Sequence, residues 1–171
     1  GDDAQTAWVD DIMLGGYVVD NFSSLPKEES FTPREDGGNW QIVDDGTGNH
    51  VYTQTRSENH IAIMNGTSIA NGTIEVKFKL PVLHDSYDYV GNRAQVYFRM
   101  DEYGNGYAIQ VRRYPASDGY DGYISLYTVN NYSLDSIIGN EVKMSGIFDY
   151  VWNPDNWHTL KVKFIDSSIT A

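Results

Sequence analysis

Apolar and polar residues alternate along much of this chain with a period of two, while no apolar stripe at i, i+3, i+4, i+7 is sustained. That pattern predicts strands rather than amphipathic helices. The alternation is clearest from Thr73 to Leu80, where Ile74, Val76, Phe78 and Leu80 fall on one side and Glu75, Lys77 and Lys79 on the other. The run from Trp157 repeats it, setting Leu160, Val162 and Phe164 against Lys161 and Lys163. Strands are predicted over 7–14, 17–22, 40–43, 50–55, 61–64, 73–80, 93–100, 107–114, 123–129 and 157–165. Gly- and Asn-rich breaks at 44–49, 65–66, 71–72, 105–106 and 118–122 separate many of them. The segment 23–38, with two prolines and Lys27-Glu28-Glu29, reads as a surface loop, and 130–145 reads as loop-like. Short strands at regular spacing predict an all-β fold, a sandwich or barrel of antiparallel strands. No composition shift marks a linker, so a single domain over 1–171 is the expectation.

The outward sides of the predicted strands differ in chemistry. Those at 73–80 and 157–165 carry lysines, which keep a sheet soluble and discourage edge-to-edge pairing. Those at 93–114 and 123–129 carry Gln95, Tyr97 and Arg99, then Gln110, Arg112 and Tyr114, then Tyr123, Ser125 and Tyr127, with no lysine among them. The segment Asp101-Glu-Tyr-Gly-Asn-Gly106 has hairpin-turn chemistry, so the first two of these strands are expected to be antiparallel neighbours. Tyrosine rings offer flat apolar area to the C–H faces of a sugar, and Gln and Arg donate hydrogen bonds from planar groups. The face therefore reads as a carbohydrate-binding site. The plainer alternative is cross-strand tyrosine pairing for sheet stability, with the arginines bonded to nearby carboxylates.

Composition narrows the partners. With 24 acidic against 12 basic residues the formal net charge is −12, which disfavours nucleic acid and anionic lipid surfaces. There is no cysteine, and no apolar run approaches the ~18 residues of a membrane span. A retaining glycosidase needs two carboxylates ~5 Å apart, which on one strand means alternate positions such as Glu-x-Asp-x-Glu. No such triplet occurs, the four histidines form no metal or catalytic spacing, and no Gly-x-Ser-x-Gly elbow is present. Catalysis is disfavoured on these grounds. Asp10-Asp11, Asp20-Asn21 and Asp44-Asp45 offer hard oxygen ligands suited to calcium.

The order of motifs resembles the concanavalin A-like lectin/glucanase superfamily. The residues that carry the likeness are Trp40-Gln-Ile-Val-Asp-Asp-Gly46, Asn71-Gly-Thr-Ile-Glu-Val-Lys-Phe-Lys79, Ala94-Gln-Val-Tyr-Phe-Arg-Met100 with Gly106-Tyr-Ala-Ile-Gln-Val111, and Asn156-Trp-His-Thr-Leu-Lys-Val162. Within that superfamily the chain is most similar to laminin-G-like bacterial domains such as family 66 carbohydrate-binding modules. The resemblance implies a two-sheet antiparallel jelly-roll sandwich whose concave sheet often carries glycan-binding or catalytic groups, and the expectation is a secreted or cell-surface protein with poly- or oligosaccharide as its partner. It also favours Arg99 as a ligand contact, whereas Tyr107 matches a family position but has the opposite strand parity from Gln110 and Arg112. Relatives often carry a structural calcium near the chain termini, which makes Asp11 and Asp20 the candidate ligands. One departure is that the run Ala7-Trp-Val-Asp-Asp-Ile-Met-Leu14 looks like a closing strand placed first, while the strands expected after Ala171 are not in the chain. Circular permutation, excision from tandem modules, and completion by a neighbouring chain are the explanations that compete. The last supports a second reading, an extracellular structural or adhesin subunit joined head to tail through residues 1–14, and a glycoside hydrolase domain is the third.

Overall fold

The computed structural model describes residues 7–15, 17–20, 31–33, 40–54, 62–64, 70–80, 93–112, 122–144 and 156–171. Among these, every regular element is a strand or, at Met144, part of a 3-10 turn. In chain order the strands are β1 (Ala7–Leu14), β2 (Tyr17–Asp20), β3 (Phe31–Pro33), β4 (Trp40–Asp44), β5 (His50–Gln54), β6 (Ala62–Met64) and β7 (Gly72–Lys79). They continue as β8 (Arg93–Phe98), β9 (Gly106–Arg112), β10 (Tyr123–Asn130), β11 (Ser133–Ile137), β12 (Val142–Lys143), β13 (His158–Ile165) and β14 (Ser168–Thr170). They form two large antiparallel sheets and one two-stranded pair, β3 with β6. The fold is thus all-β, as the alternation predicts.

The chain divides into two compact units, one of Gly1–Leu83 with Asn156–Ala171 and one of His84–Asp155, each holding one large sheet. The sheet of the first unit runs β14-β13-β7-β1-β5-β4, with β2 added beside β1. Its clearest strand is β13, in which buried His158, Leu160, Val162 and Phe164 alternate with exposed Thr159, Lys161, Lys163 and Ile165. Neighbouring β7 buries Val76 and Phe78 on the matching side. On the other side Lys161 pairs with Glu75 at 2.9 Å across the ladder, and Lys79 lies 5.1 Å from the centre of the Trp8 ring. These faces are the ordinary solvated surface that the lysines predict.

The first strand of the sequence is not an edge. β1 lies between β7 and β5 and is hydrogen-bonded on both sides within its own chain. Its ladder with β7 shifts register between Asp10 and Met13; on its other side residues 7–9 pair with β5 and residues 12–14 with β2.

The sheet of the second unit runs β11-β10-β9-β8, with β12 joining β10 at the start of that strand. The β8–β9 connection is the expected hairpin. The Asp101 amide donates to the Asn105 carbonyl at 2.8 Å, and the Asp101 carboxylate accepts from the amides of Tyr103 and Asn105. A second turn, with Asn131 at φ 47° and Tyr132 at φ 60°, links β10 to β11 and docks on the first through Tyr132 N–H donating to the Gly104 carbonyl.

Three expectations need correction. The segment 23–38 is not loop throughout, because Phe31–Pro33 forms β3. The segment 130–145 contains β11 and β12, whose residues are mostly exposed and take strand form by pairing with β10. The predicted strand at 93–100 ends at Phe98, where Arg99 turns to φ 52°.

Candidate functional site

The registers of β8, β9 and β10 align three cross-strand rows, since residues directly opposite on antiparallel neighbours project from the same face. The first row is Arg93, Arg112 and Tyr123, continued by Lys143 of β12. Gln95, Gln110 and Ser125 make the second, and Tyr97, Ala108 and Tyr127 the third. Six of the eight residues expected to bind sugar, Gln95, Tyr97, Gln110, Arg112, Tyr123 and Tyr127, are thus gathered on one face of three neighbouring strands.

Two residues are placed differently. Arg99 does not continue the alternation, because its left-handed backbone turns the chain out of β8 and the parity argument that grouped it with Gln95 and Tyr97 ends at Phe98. Tyr114 lies outside the described residues. Tyr107 stands on the opposite side of the sheet, directly across from Phe98, their rings stacked 6.0 Å apart at 26°.

The face is less open than its polarity predicts. Gln110 and Ser125 are 3% and 2% exposed, and Ala108 between Tyr97 and Tyr127 is fully covered. Part of the shielding comes from within the sheet. Tyr97 leans along its own strand and its hydroxyl donates to Gln95 Oε1 at 2.8 Å. Ser125 Oγ donates to Glu141 Oε1 at 2.7 Å, which extends the glutamine row to a fourth residue. Gln95 Nε2 is buried and has no hydrogen-bond partner among the described residues. A buried donor left in that state is costly unless something occupies it. The arginine row is the accessible end, for Arg93, Arg112 and Tyr123 are half-buried and Lys143 is exposed.

The electrostatics follow from the rows. Burial holds the Arg93 guanidinium below its ordinary pKa, and the positive charge of Arg112 opposite lowers it further. Burial raises the pKa of the Tyr97 phenol, with the Arg93 charge partly opposing. Among the described residues the groups acting on Arg93 are Arg112, Tyr97 and Tyr127, and no carboxylate is among them. The 6, 7 and 8 residues of β8, β9 and β10 include no Asp or Glu.

The expectation missed four contributors. Arg93 has the same parity as Gln95, so its place was readable, and Ser125 had been grouped with the tyrosines without being assigned a role. Glu141 and Lys143 arrive only through the β10–β12 register, and Lys143 means the face is not free of lysine at its edge. For calcium, Asp20 pairs in register with Ile12, while Asp11 lies at the irregular stretch of β1, and the side chains of both are outside the described residues. Nearby Asp10 is buried and accepts from Asn49 Nδ2 at 2.8 Å. Among the described residues no group of three His, Asp or Glu side chains is arranged to hold a metal ion. No described helix is long and apolar enough to cross a membrane.

No protein-family model matches this chain, and no curated protein or solved structure matches it either.

Proposed function

We propose that the chain is a noncatalytic carbohydrate-binding module of a secreted or cell-surface protein, and that the face of β8, β9 and β10 is its glycan site. The observation that carries this reading is the alignment of Gln95, Gln110, Tyr97, Tyr127, Arg112 and Tyr123 in adjoining rows on three neighbouring strands. Sugars are held by aromatic rings against their C–H faces and by planar amide and guanidinium groups at their hydroxyls. Affiliation with the concanavalin A-like superfamily belongs to the same proposal and rests on the strand and motif order quoted above. Glycoside hydrolysis by a carboxylate pair is less supported, since Glu141 is the one carboxylate bonded to the face among the described residues.

Assembly through the first strand is likewise less supported. β1 already has partners on both sides, so such assembly would require the strand to leave its own sheet. Calorimetric titration against a panel of plant and microbial polysaccharides tests the proposal. Binding to at least one polymer that is weakened about tenfold or more by Tyr127→Ala is expected, and no binding across the panel would overturn it.

A further inference from the structure

Three exposed aliphatic residues lie at the β11–β12 side of the second sheet, Ile137, Ile138 and Val142, with exposures of 44%, 40% and 48%. Their registers separate them. Val142 stands opposite Ile124 and continues the row Ala94, Val111, Ile124, while the Ile138 amide donates to the Leu126 carbonyl beside the row Val96, Ile109, Leu126. Both extend rows whose centres, Val111 and Ile109, are buried, so the fold accounts for them. Ile137 is different, because it stands opposite Tyr127 and extends the row Tyr97, Ala108, Tyr127 on the polar-aromatic face.

That face changes character from row to row. After the glutamine row and the tyrosine row, the next position on the same side of β10 is Val129, with Leu134 of β11 directly across from it. Tyr127, Val129, Leu134 and Ile137 therefore form an aliphatic and aromatic corner beside the amides. Exposure rises outward through it, from buried Val129 to half-buried Leu134 and Tyr127 and then to exposed Ile137. A branched aliphatic side chain has no π-face to lay against a sugar ring and no donor for a hydroxyl. It gains only by covering apolar surface, which a sugar concentrates in a methyl group.

We propose that the corner of Tyr127, Leu134 and Ile137 seats a methyl group of the glycan, that of an O-acetyl ester or of a 6-deoxy sugar. This rests on the carbohydrate-binding reading above and narrows its ligand class. The ring lies against Tyr127, its hydroxyls towards the glutamine row and its methyl over Ile137.

The test is calorimetric titration of the whole chain with O-acetylated xylo-oligosaccharides and with a fucosylated xyloglucan, each beside the same material after deacetylation or removal of fucose. At least one methyl-bearing ligand should bind about threefold or more tightly than its stripped counterpart, and the pair that differs identifies the source of the methyl. Ile137→Thr keeps the β-branch and the strand preference, so it should abolish that difference and leave binding of the stripped ligand unchanged. Ile137→Val should retain most of it, and thermal melts check that both variants fold. Equal affinities within both pairs, a preference that survives in Ile137→Thr, or binding only to panel polymers outside these pairs would overturn the methyl assignment while leaving a glycan site. Equal weakening of both members of a pair by Ile137→Thr would show that Ile137 only supports Tyr127 across the ladder, and a change in the sedimentation of the free chain would make the corner an interface between copies; either result also overturns the assignment. Absence of binding to all four ligands and to the wider panel would overturn both readings.

Discussion

Arg93 and Arg112 stand directly opposite one another on the β8–β9 ladder, both half-buried, and the charge of each opposes that of the other. A cross-strand pair of like charges is destabilising by about 0.2–1 kcal/mol. Arg93→Gln is therefore expected to raise the free energy of unfolding by an amount in that range. Urea denaturation at neutral pH measures the effect. A variant less stable than the wild type would show that Arg93 serves the fold instead.

Tyr97 gives the face an alkaline limit. Its phenol titrates above the ordinary value of about 10 because burial disfavours the phenolate. The folded state holds this proton more tightly than the unfolded state, so the associated stability is complete below about pH 10 and falls as pH rises through the raised folded value. Tyr97→Phe should remove that part of the alkaline loss. At neutral pH it should cost about 1 kcal/mol, because Gln95 Oε1 loses its donor. Urea midpoints from pH 8 to 11 compare the two proteins, and parallel curves would contradict the assignment.

The β8–β9 turn is sensitive to acid. The Asp101 carboxylate titrates below its ordinary range, chiefly because the Asn105 amide donates to it, aided by the Asn105 side chain and the amides of Tyr103 and Gly104. Its contribution is present above about pH 4 and is lost as pH falls through the lowered folded value. Asp101→Ala should lower the melting temperature at pH 7, and the difference from wild type should shrink towards pH 2. A difference independent of pH would mean that the charge on Asp101 has no part in holding the turn.

Gly104 joins that turn to the next. It adopts φ +79°, and a Cβ there would sit within 2.3 Å of two atoms of the Tyr132 ring. Gly104→Ala is expected to destabilise the protein by about 1–3 kcal/mol, because backbone strain adds to displacement of the ring. Gly46→Ala, strained at φ +88° but with no atom within 4 Å, should cost less. Chemical denaturation ranks the two, and equal losses would argue against close packing of Tyr132 on Gly104.

How much of this was legible in the sequence depended on how each strand is covered. β13 was readable because one side is buried and the other solvated, so its pattern repeats the burial residue by residue. In β9 the parity of Gln110 and Arg112 was readable, but the depth was not, since Ala108, Ile109, Gln110 and Val111 are all buried and the strand is covered on both sides. β11 and β12 left no signal, because Ser133-Leu-Asp-Ser-Ile137 and Val142-Lys143 owe their form to pairing with β10 and not to their own side chains. Arg99 was misplaced because alternation carries no warning of a single residue with positive φ. The tyrosine and glutamine rows were therefore visible in the sequence, whereas the cationic row needed the register.

The central claim, that one sheet face binds glycan and the lysine-bearing face of the other sheet does not, is tested most directly by affinity electrophoresis through gels carrying each polysaccharide of the panel. Wild type, Tyr127→Ala, Arg112→Gln and Lys163→Gln are compared, the last changing an exposed lysine of β13. Wild type and Lys163→Gln should be retarded equally by the bound polymer, while Tyr127→Ala and Arg112→Gln should lose most of the retardation. Retardation of Tyr127→Ala and Arg112→Gln equal to wild type, or its loss in Lys163→Gln alone, would contradict the account.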